Sequence, residues 1–440
     1  MIEVRKMKQR KIDKLLLKNG HIIDPGLGMD LICDVLVVDK KIVRIEQNIA
    51  ADDAHTIDMT GLLITPGLFD MHVHFREPGR EDEETIKSGC LAAAAAGFTG
   101  VCPMPDTQPA ADTRSIIEFI ISEAASSAVE VYPIGAVTKG RRGEELTEMA
   151  EMVEAGAVAF SDAGRSIRHA DMVRRSMEYM SMFNVPLIAH CEDVALAAGG
   201  AMHEGAVSTR LGLPGMPGVA ESIIVARDIL LAEFTKSQLH IAHISTARSL
   251  DIIRKAKQRG IHVTCDVTPF HLCLTDDSIK TYDANFKVNP PLRAESDRLA
   301  LVEGLRDGTI DVIASDHAPH APEEKDVEFG AAPFGAVGLE TSPGLILDRL
   351  VAPGHLSLPE ALKKMSVAPR SILGLPSTPI EVGACANFSF IDAELKWQVD
   401  SKKFYSKCRN SPFNGWDLKG KARGIYNEGI LCWTGEGTGR

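Results

Sequence analysis

Aromatic residues are scarce, with Phe, Tyr and Trp together only 5% of 440 residues. Basic residues are not in excess either: 48 Lys and Arg face 60 Asp and Glu, for a net charge of −12. Nucleic-acid binding normally needs a basic face, so this class is disfavoured. A small anionic ligand answers to a local cluster of cations and is not excluded. No stretch approaches the ~20 apolar residues of a membrane span. The opening "MIEVRKMKQRKIDKLLLKNG" has a basic start but an apolar run of three leucines, too short for a signal sequence. The nine cysteines are odd in number and show no CxxC spacing. Cys90, Cys102, Cys191 and Cys265 lie in apolar segments and read as reduced core thiols, which implies a cytoplasmic protein.

What remains is ordinary globular composition, 45% hydrophobic and 25% charged. Residues 13–66 alternate apolar and polar in "KLLLKNG", "DVLVVDKKIVRIE" and "TIDMTGLLITPG", with breaks at Asn19-Gly20, Pro25-Gly26 and Asp39-Lys40. That is the pattern of short strands and turns. From Gly67 the pattern becomes strand followed by helix. Strands are expected at 68–74, 98–103, 130–137, 157–161, 186–191, 238–244, 261–267 and 311–315. Helices such as "EETIKSGCLAAAAAG", "ESIIVARDILLAEF" and "SLDIIRKAKQRG" lie between them. The strands are near-continuous apolar runs, as in a parallel sheet buried on both faces. Eight such units make an α/β (β/α)8 barrel, a TIM-like fold. The β signature returns after about 375, so the expected division is 1–66 and 375–440 as two parts of a composite β-sandwich, around a barrel at 67–374.

Polar residues that look out of place fall at the strand ends. His72 and His74 close the first strand, Asp162 the fourth, His190 the fifth, His243 the sixth and Asp316 the eighth. In a barrel these ends meet at one rim, where active sites of this fold are built. Imidazoles and carboxylates are ligands for zinc or a similar divalent ion. A single buried histidine is more often a hydrogen-bonded core residue. Four at matching strand ends, with an aspartate, point to a metal site. His21, His55, His203, His240, His262 and His355 lack that placement and read as surface or structural, and His169 as solvated.

The motifs "PGLFDMHVHFREPG", "AHCED", "HISTARS", "KVNPPLR" and "IASDHAPH" together resemble dihydroorotases of the amidohydrolase superfamily, in their bacterial monofunctional form. HxH alone marks only the superfamily, whereas HFREPG with NPPLR and DHAPH is more specific. The resemblance implies a zinc-dependent enzyme with one or two ions per chain, acting in UMP biosynthesis. Its reaction would interconvert N-carbamoyl-L-aspartate and L-dihydroorotate. His72, His74, His190, His243 and Asp316 would hold metal, and Asp316 would also be the general base for a metal-activated water. His74, Arg76, Asp106, Asn289, His320 and the backbone of Phe334 and Gly335 would contact substrate. The planar fork of Arg76 suits a carboxylate. A homo-oligomer is expected, and association with aspartate carbamoyltransferase is left open.

Three positions depart from the family pattern. Where an aspartate usually bridges two metals, the segment Ser161-Asp162-Ala163-Gly164 offers Ala163. Three outcomes follow: the loop delivers Asp162 as a ligand, the site holds one metal, or the centre is impaired. Asp106 stands where an asparagine helps bind the substrate carboxylate. Two negative charges ~5 Å apart at a dielectric of ~20 repel by roughly 3 kcal/mol, unless Asp106 is protonated, turned away or paired with Arg76. Phe270 replaces a common histidine and alters packing only. Two other readings stay open. One is a hydantoinase- or allantoinase-like cyclic amidohydrolase, and the other is a catalytically weak subunit supporting aspartate carbamoyltransferase.

Overall fold

The computed structural model describes residues 7–434. The basic start of the chain and the last six residues of the C-terminal β segment lie outside them. Barrel strands run Leu68–Val73, Phe98–Pro103, Glu130–Val131 continuing as Ile134–Gly135, Ala159–Phe160, Leu187–Ala189, Leu239–Ile241, Val263–Val267 and Val312–Ile313. Each pairs in parallel with the next. A parallel bridge between Val73 and His317 closes the ring, and the His74 N–H donates to His317 O at 2.8 Å. The molecule is therefore a (β/α)8 barrel.

Most strands are shorter than the apolar runs that signal them, because the ladder ends where polar residues turn toward the rim. The third expected strand, 130–137, is interrupted at Tyr132 and Pro133, since proline has no N–H for the ladder. Its carbonyl still accepts from Val158 N at 3.2 Å, which keeps the edge in register. The first helix, Ile86–Ala95, starts later than its acidic lead-in suggested. Thr85 caps it, with a reciprocal contact from Ser88. Glu83 and Glu84 lie ahead of the cap and are buried for other uses. The other two expected helices form as Val219–Thr235 and Ala247–Gln258, the latter capped by Thr246.

Two layers of core fix the barrel. Phe69, Met71, Cys102, Ile134, Ala163, Ile188 and Ala242 belong to one buried cluster, and a larger one packs strands against helices. Apart from a short parallel pair, Met202–His203 with Gly215–Met216, the remaining strands form one nine-stranded sheet that draws on both ends of the chain. Its order is Lys8–Lys11, Ile430–Trp433, Asp417–Asn427, Phe388–Gln398, Leu63–Pro66, Lys14–Asp24, Met29–Val38 and Lys41–Glu46, with His55–Asp58 beside Lys14–Asp24. It encloses Leu15, Leu17, Val35, Val37, Phe388, Phe390 and Tyr426, the β-sandwich core. Asp39 and Lys40 take left-handed φ in the expected hairpin turn. Asn19-Gly20 does not reverse the chain. It is a bulge inside Lys14–Asp24, where the pairing register shifts between Leu17 and Gly20. Among the described residues no helix is long and apolar enough to cross a membrane. All nine cysteines are free, and Cys90, Cys102, Cys191 and Cys265 are buried.

Candidate active site

The first strand brings His72 to the rim, and the turn after it brings His74. Pairing with the second strand slips between Asp70 and Val73, yet the two imidazoles stay 5.3 Å apart between ring centres. Asp316, after the eighth strand, places Oδ1 3.4 Å from His72 Nε2 and 3.3 Å from His74 Nε2. Ligand atoms of His72, His74 and Asp316 all lie within 4.8 Å of one another. His243 and His190 flank this set: the His72 and His243 rings are 5.2 Å apart, and His190 Nδ1 is 3.1 Å from His243 Nε2. Asn289 Nδ2 reaches His190 Nε2 at 3.4 Å, and its Oδ1 is buried without a partner.

The rim is held by carboxylates one layer down. Asp70 accepts from His72 N at 3.0 Å and from Ser315 N, so one side chain ties the first strand to the eighth. Burial pushes it up to about 7 against those hydrogen bonds. Asp266 accepts from His243 N at 2.7 Å and contacts His240 Nε2 at 2.9 Å. Arg76, His243 and Asp316 all adopt left-handed φ, of 60°, 37° and 48°. Such conformations persist in non-glycine residues only where surroundings enforce them, and they cluster at functional sites. Asp70 in "FDMHVH" and Asp266 in "TCDVTP" escaped the sequence reading. Their signal was a carboxylate inside an apolar strand.

Electrostatics suit cation binding. Burial lowers His72, and burial with His190 nearby takes His243 well down, so both are neutral imidazoles with free lone pairs. Burial alone would raise Asp316, but His72 and His74 outweigh it and hold the carboxyl below its usual range. His74 differs. Burial opposes its charge, yet Asp106 and Asp316 raise it to about 9. Buried nitrogens without hydrogen-bond partners include Nδ1 of His72 and of His243. Neutral imidazoles and an ionised carboxylate converging in a buried rim are a donor set that fits a divalent cation.

Asp162 is not brought into this cluster. Its Oδ1 accepts from Val137 N and Thr138 N at 3.0 Å each, and Oδ2 accepts from Thr138 Oγ1 at 2.5 Å. Ala163, past the end of the fourth strand, is buried in the apolar cluster with Phe69 and Met71. Asp106 is paired: Arg76 Nη1 donates to its Oδ2 at 2.5 Å. Its Oδ1 lies 2.8 Å from His74 Nδ1, off the line of the ring N–H, which makes this an ion-pair contact and not a hydrogen bond. His74 and Arg76 override burial and hold Asp106 well below the usual carboxylate range. Arg76 Nε also meets Glu83 Oε2 at 3.0 Å, so the guanidinium is engaged on two sides.

His320 lies against the same group, with Nδ1 2.9 Å from Glu83 Oε1 and Nε2 2.8 Å from Phe334 O. Gly335, at φ 130°, donates its N–H to Lys287 O. A Cβ there would sit 2.9 Å from His320 Nε2. The Phe334 carbonyl and Gly335 N–H are thus already partnered. Phe270 stacks on Phe413 at 5.6 Å, a packing contact. His240 is buried and structural, while His169, His262 and His355 are exposed.

A closed parallel barrel with histidines and an aspartate at its rim, carried on a composite β-sandwich, is the architecture that this chain shares with cyclic-amide hydrolases of the amidohydrolase superfamily. L-hydantoinase (dihydropyrimidinase) from Arthrobacter aurescens superposes with a TM-score of 0.85 at 25% identity, covering 96% of both chains. Dihydropyrimidinase from Brevibacillus agri shares the fold, with a TM-score of 0.81 at 20% identity over 95% of this chain and 94% of that one. A family profile described as Dihydro-orotase-like matches residues 61–249. Dihydroorotase of Pelotomaculum thermopropionicum is 53% identical over 92% of this chain and 95% of its own length. That of Citrifermentans bemidjiense is 50% identical over 93% and 96%. The chain belongs to the dihydroorotase family.

Proposed function

We propose that this chain is a zinc-dependent dihydroorotase that interconverts N-carbamoyl-L-aspartate and L-dihydroorotate in pyrimidine biosynthesis. The convergence of His72, His74 and Asp316, flanked by His190 and His243, carries the reading. These five residues would hold one divalent cation, His74 after giving up its proton, because Asp162 is committed elsewhere and Ala163 cannot ligate. When bound, the cation polarises the ring amide carbonyl and makes a water molecule more acidic. Asp316, ionised at neutral pH, accepts the proton of the attacking water. As the ring C–N bond breaks, it returns that proton to the leaving nitrogen. Asn289, beside His190, and His320, beside Arg76, orient the substrate, and Arg76 faces its carboxylate. Retention of the whole histidine set argues for an enzyme over a catalytically weak subunit.

Ring opening of L-dihydroorotate by the purified protein, compared with hydantoin, tests the assignment. A kcat/KM that favours dihydroorotate is expected. Preference for hydantoin would favour the second reading, a hydantoinase-like enzyme. The Asp106–Arg76 pair supports that alternative, since it occupies the fork a substrate carboxylate would use. The same pair gives a sharper expectation. Asp106→Asn frees one arm of Arg76 and removes a nearby negative charge, so KM for dihydroorotate should fall by about tenfold. An unchanged KM would show that Arg76 does not meet the substrate carboxylate. Ala163→Asp should raise metal content per chain, measured by elemental analysis. Unchanged content would mean that position 163 does not face the cation.

A further inference from the structure

Beside the histidine cluster lies a cavity of about 420 Å³, walled by loops that follow the third, fourth and fifth barrel strands. Arg141, Arg142, Arg165, Ser166, Arg168 and His169 line it. None of His72, His74, His190, His243 or Asp316 does.

The arginines here are unlike most others in the chain. Arg80, Arg114, Arg174, Arg254 and Arg298, for example, each meet a carboxylate. Among the described residues none of Arg141, Arg142, Arg165 and Arg168 has one at ion-pair distance. Their recorded contacts are to backbone: Arg141 Nη2 donates to Ala163 O at 3.1 Å, and Arg165 Nη1 to Arg141 O at 3.3 Å. Acids in the same wall face elsewhere. Asp162 is satisfied by Val137 and Thr138, and Glu192 sits 3.8 Å from His190. Glu144 is exposed at the rim and pairs with none of the four.

A second observation is independent of charge. Arg141 Nε and Ser166 Oγ are shut off from solvent and have no hydrogen-bond partner. A buried donor left unpaired costs about 1–3 kcal/mol. Four guanidinium groups without an ion pair around one cavity, with these two donors just behind its wall, suit a ligand rich in anionic acceptors. Guanidinium forks match phosphate oxygens, and the volume falls within the ~300–1,000 Å³ of small-molecule sites.

We propose that this cavity binds a phosphate-bearing small molecule, a diphosphate or a phosphorylated nucleoside, through Arg141, Arg165, Ser166 and Arg168. Its wall is tied to the catalytic rim, through Arg141 on Ala163 O and Glu192 beside His190, so occupancy would be felt there.

Calorimetric titration of the full chain with pyrophosphate tests this, with succinate as the dicarboxylate arm. Saturable pyrophosphate binding is expected, weakened by added salt and weakened about tenfold or more in Arg165→Ala/Arg168→Ala. Both side chains are exposed, so the double variant should fold, as an unchanged melting temperature would verify. Succinate should bind about tenfold more weakly than pyrophosphate. Absence of saturable binding would overturn the proposal. So would binding unchanged in the double variant, which would place pyrophosphate on the catalytic cation, and so would equal affinity for succinate. Binding is read without turnover, so the result stands apart from the assignment of the catalytic reaction.

Discussion

Asp316→Asn is expected to lower kcat for dihydroorotate ring opening by about 10³-fold, within the range that a positioned general base contributes. The carboxylate sits within 3.4 Å of both His72 and His74, so its loss removes the proton acceptor and weakens the cation's donor set together. The substitution is conservative for the backbone. Asp316 has φ 48°, and asparagine tolerates that left-handed region as well as aspartate does. An intact fold, seen as an unchanged melting temperature, should therefore accompany the loss of turnover. A variant retaining kcat within tenfold would mean that another group takes the proton.

Glu221→Ala should cost about 3–5 kcal/mol of stability, read by chemical denaturation. The carboxylate is buried and accepts from Ser245 N at 3.2 Å, from Thr246 N at 3.1 Å and from both hydroxyl groups. Arg293, equally buried, donates to Ser245 Oγ and Met216 O, with Glu221 3.8 Å away. Removing the acid strands a buried guanidinium and several N–H groups. It also loosens the segment that follows His243 and the Thr246 cap. Replacing both members, as in Glu221→Met/Arg293→Met, leaves no unpaired charge and should cost less than Glu221→Ala. A double variant that is the less stable of the two would show that the pair stabilises beyond mutual neutralisation.

Much of this architecture was legible because buried parallel strands write themselves as apolar runs. Phe98–Pro103 matches its run residue for residue. The placement of histidines at strand ends was legible for the same reason. The partnering of charges was only partly legible: pairing of Asp106 with Arg76 was one of three open outcomes, and the other pairs escaped. Arg76 and Asp106 are 30 residues apart, and the parallel pairing of the first two barrel strands brings them together. Glu83 and Glu84 read as a helix start, but their burial makes them partners of Arg76, Arg80, His320 and Ser406. Arg293, within the recognisable NPPLR, turned out to brace Ser245. Asn19-Gly20 carries a turn signal that the flanking strand absorbs as a bulge, because Leu15, Leu17 and Ile22 on either side share one core.

On the proposed function, one divalent cation, held by His72, His74, His190, His243 and Asp316, is required for ring opening. Chelation followed by graded addition of zinc, with metal content and dihydroorotate hydrolysis measured on the same samples, tests it most directly. Activity should vanish on chelation and return in proportion to bound zinc, levelling off near one ion per chain. Full activity in the metal-free protein, or zinc uptake unaltered in His72→Ala/His243→Ala, would contradict the account.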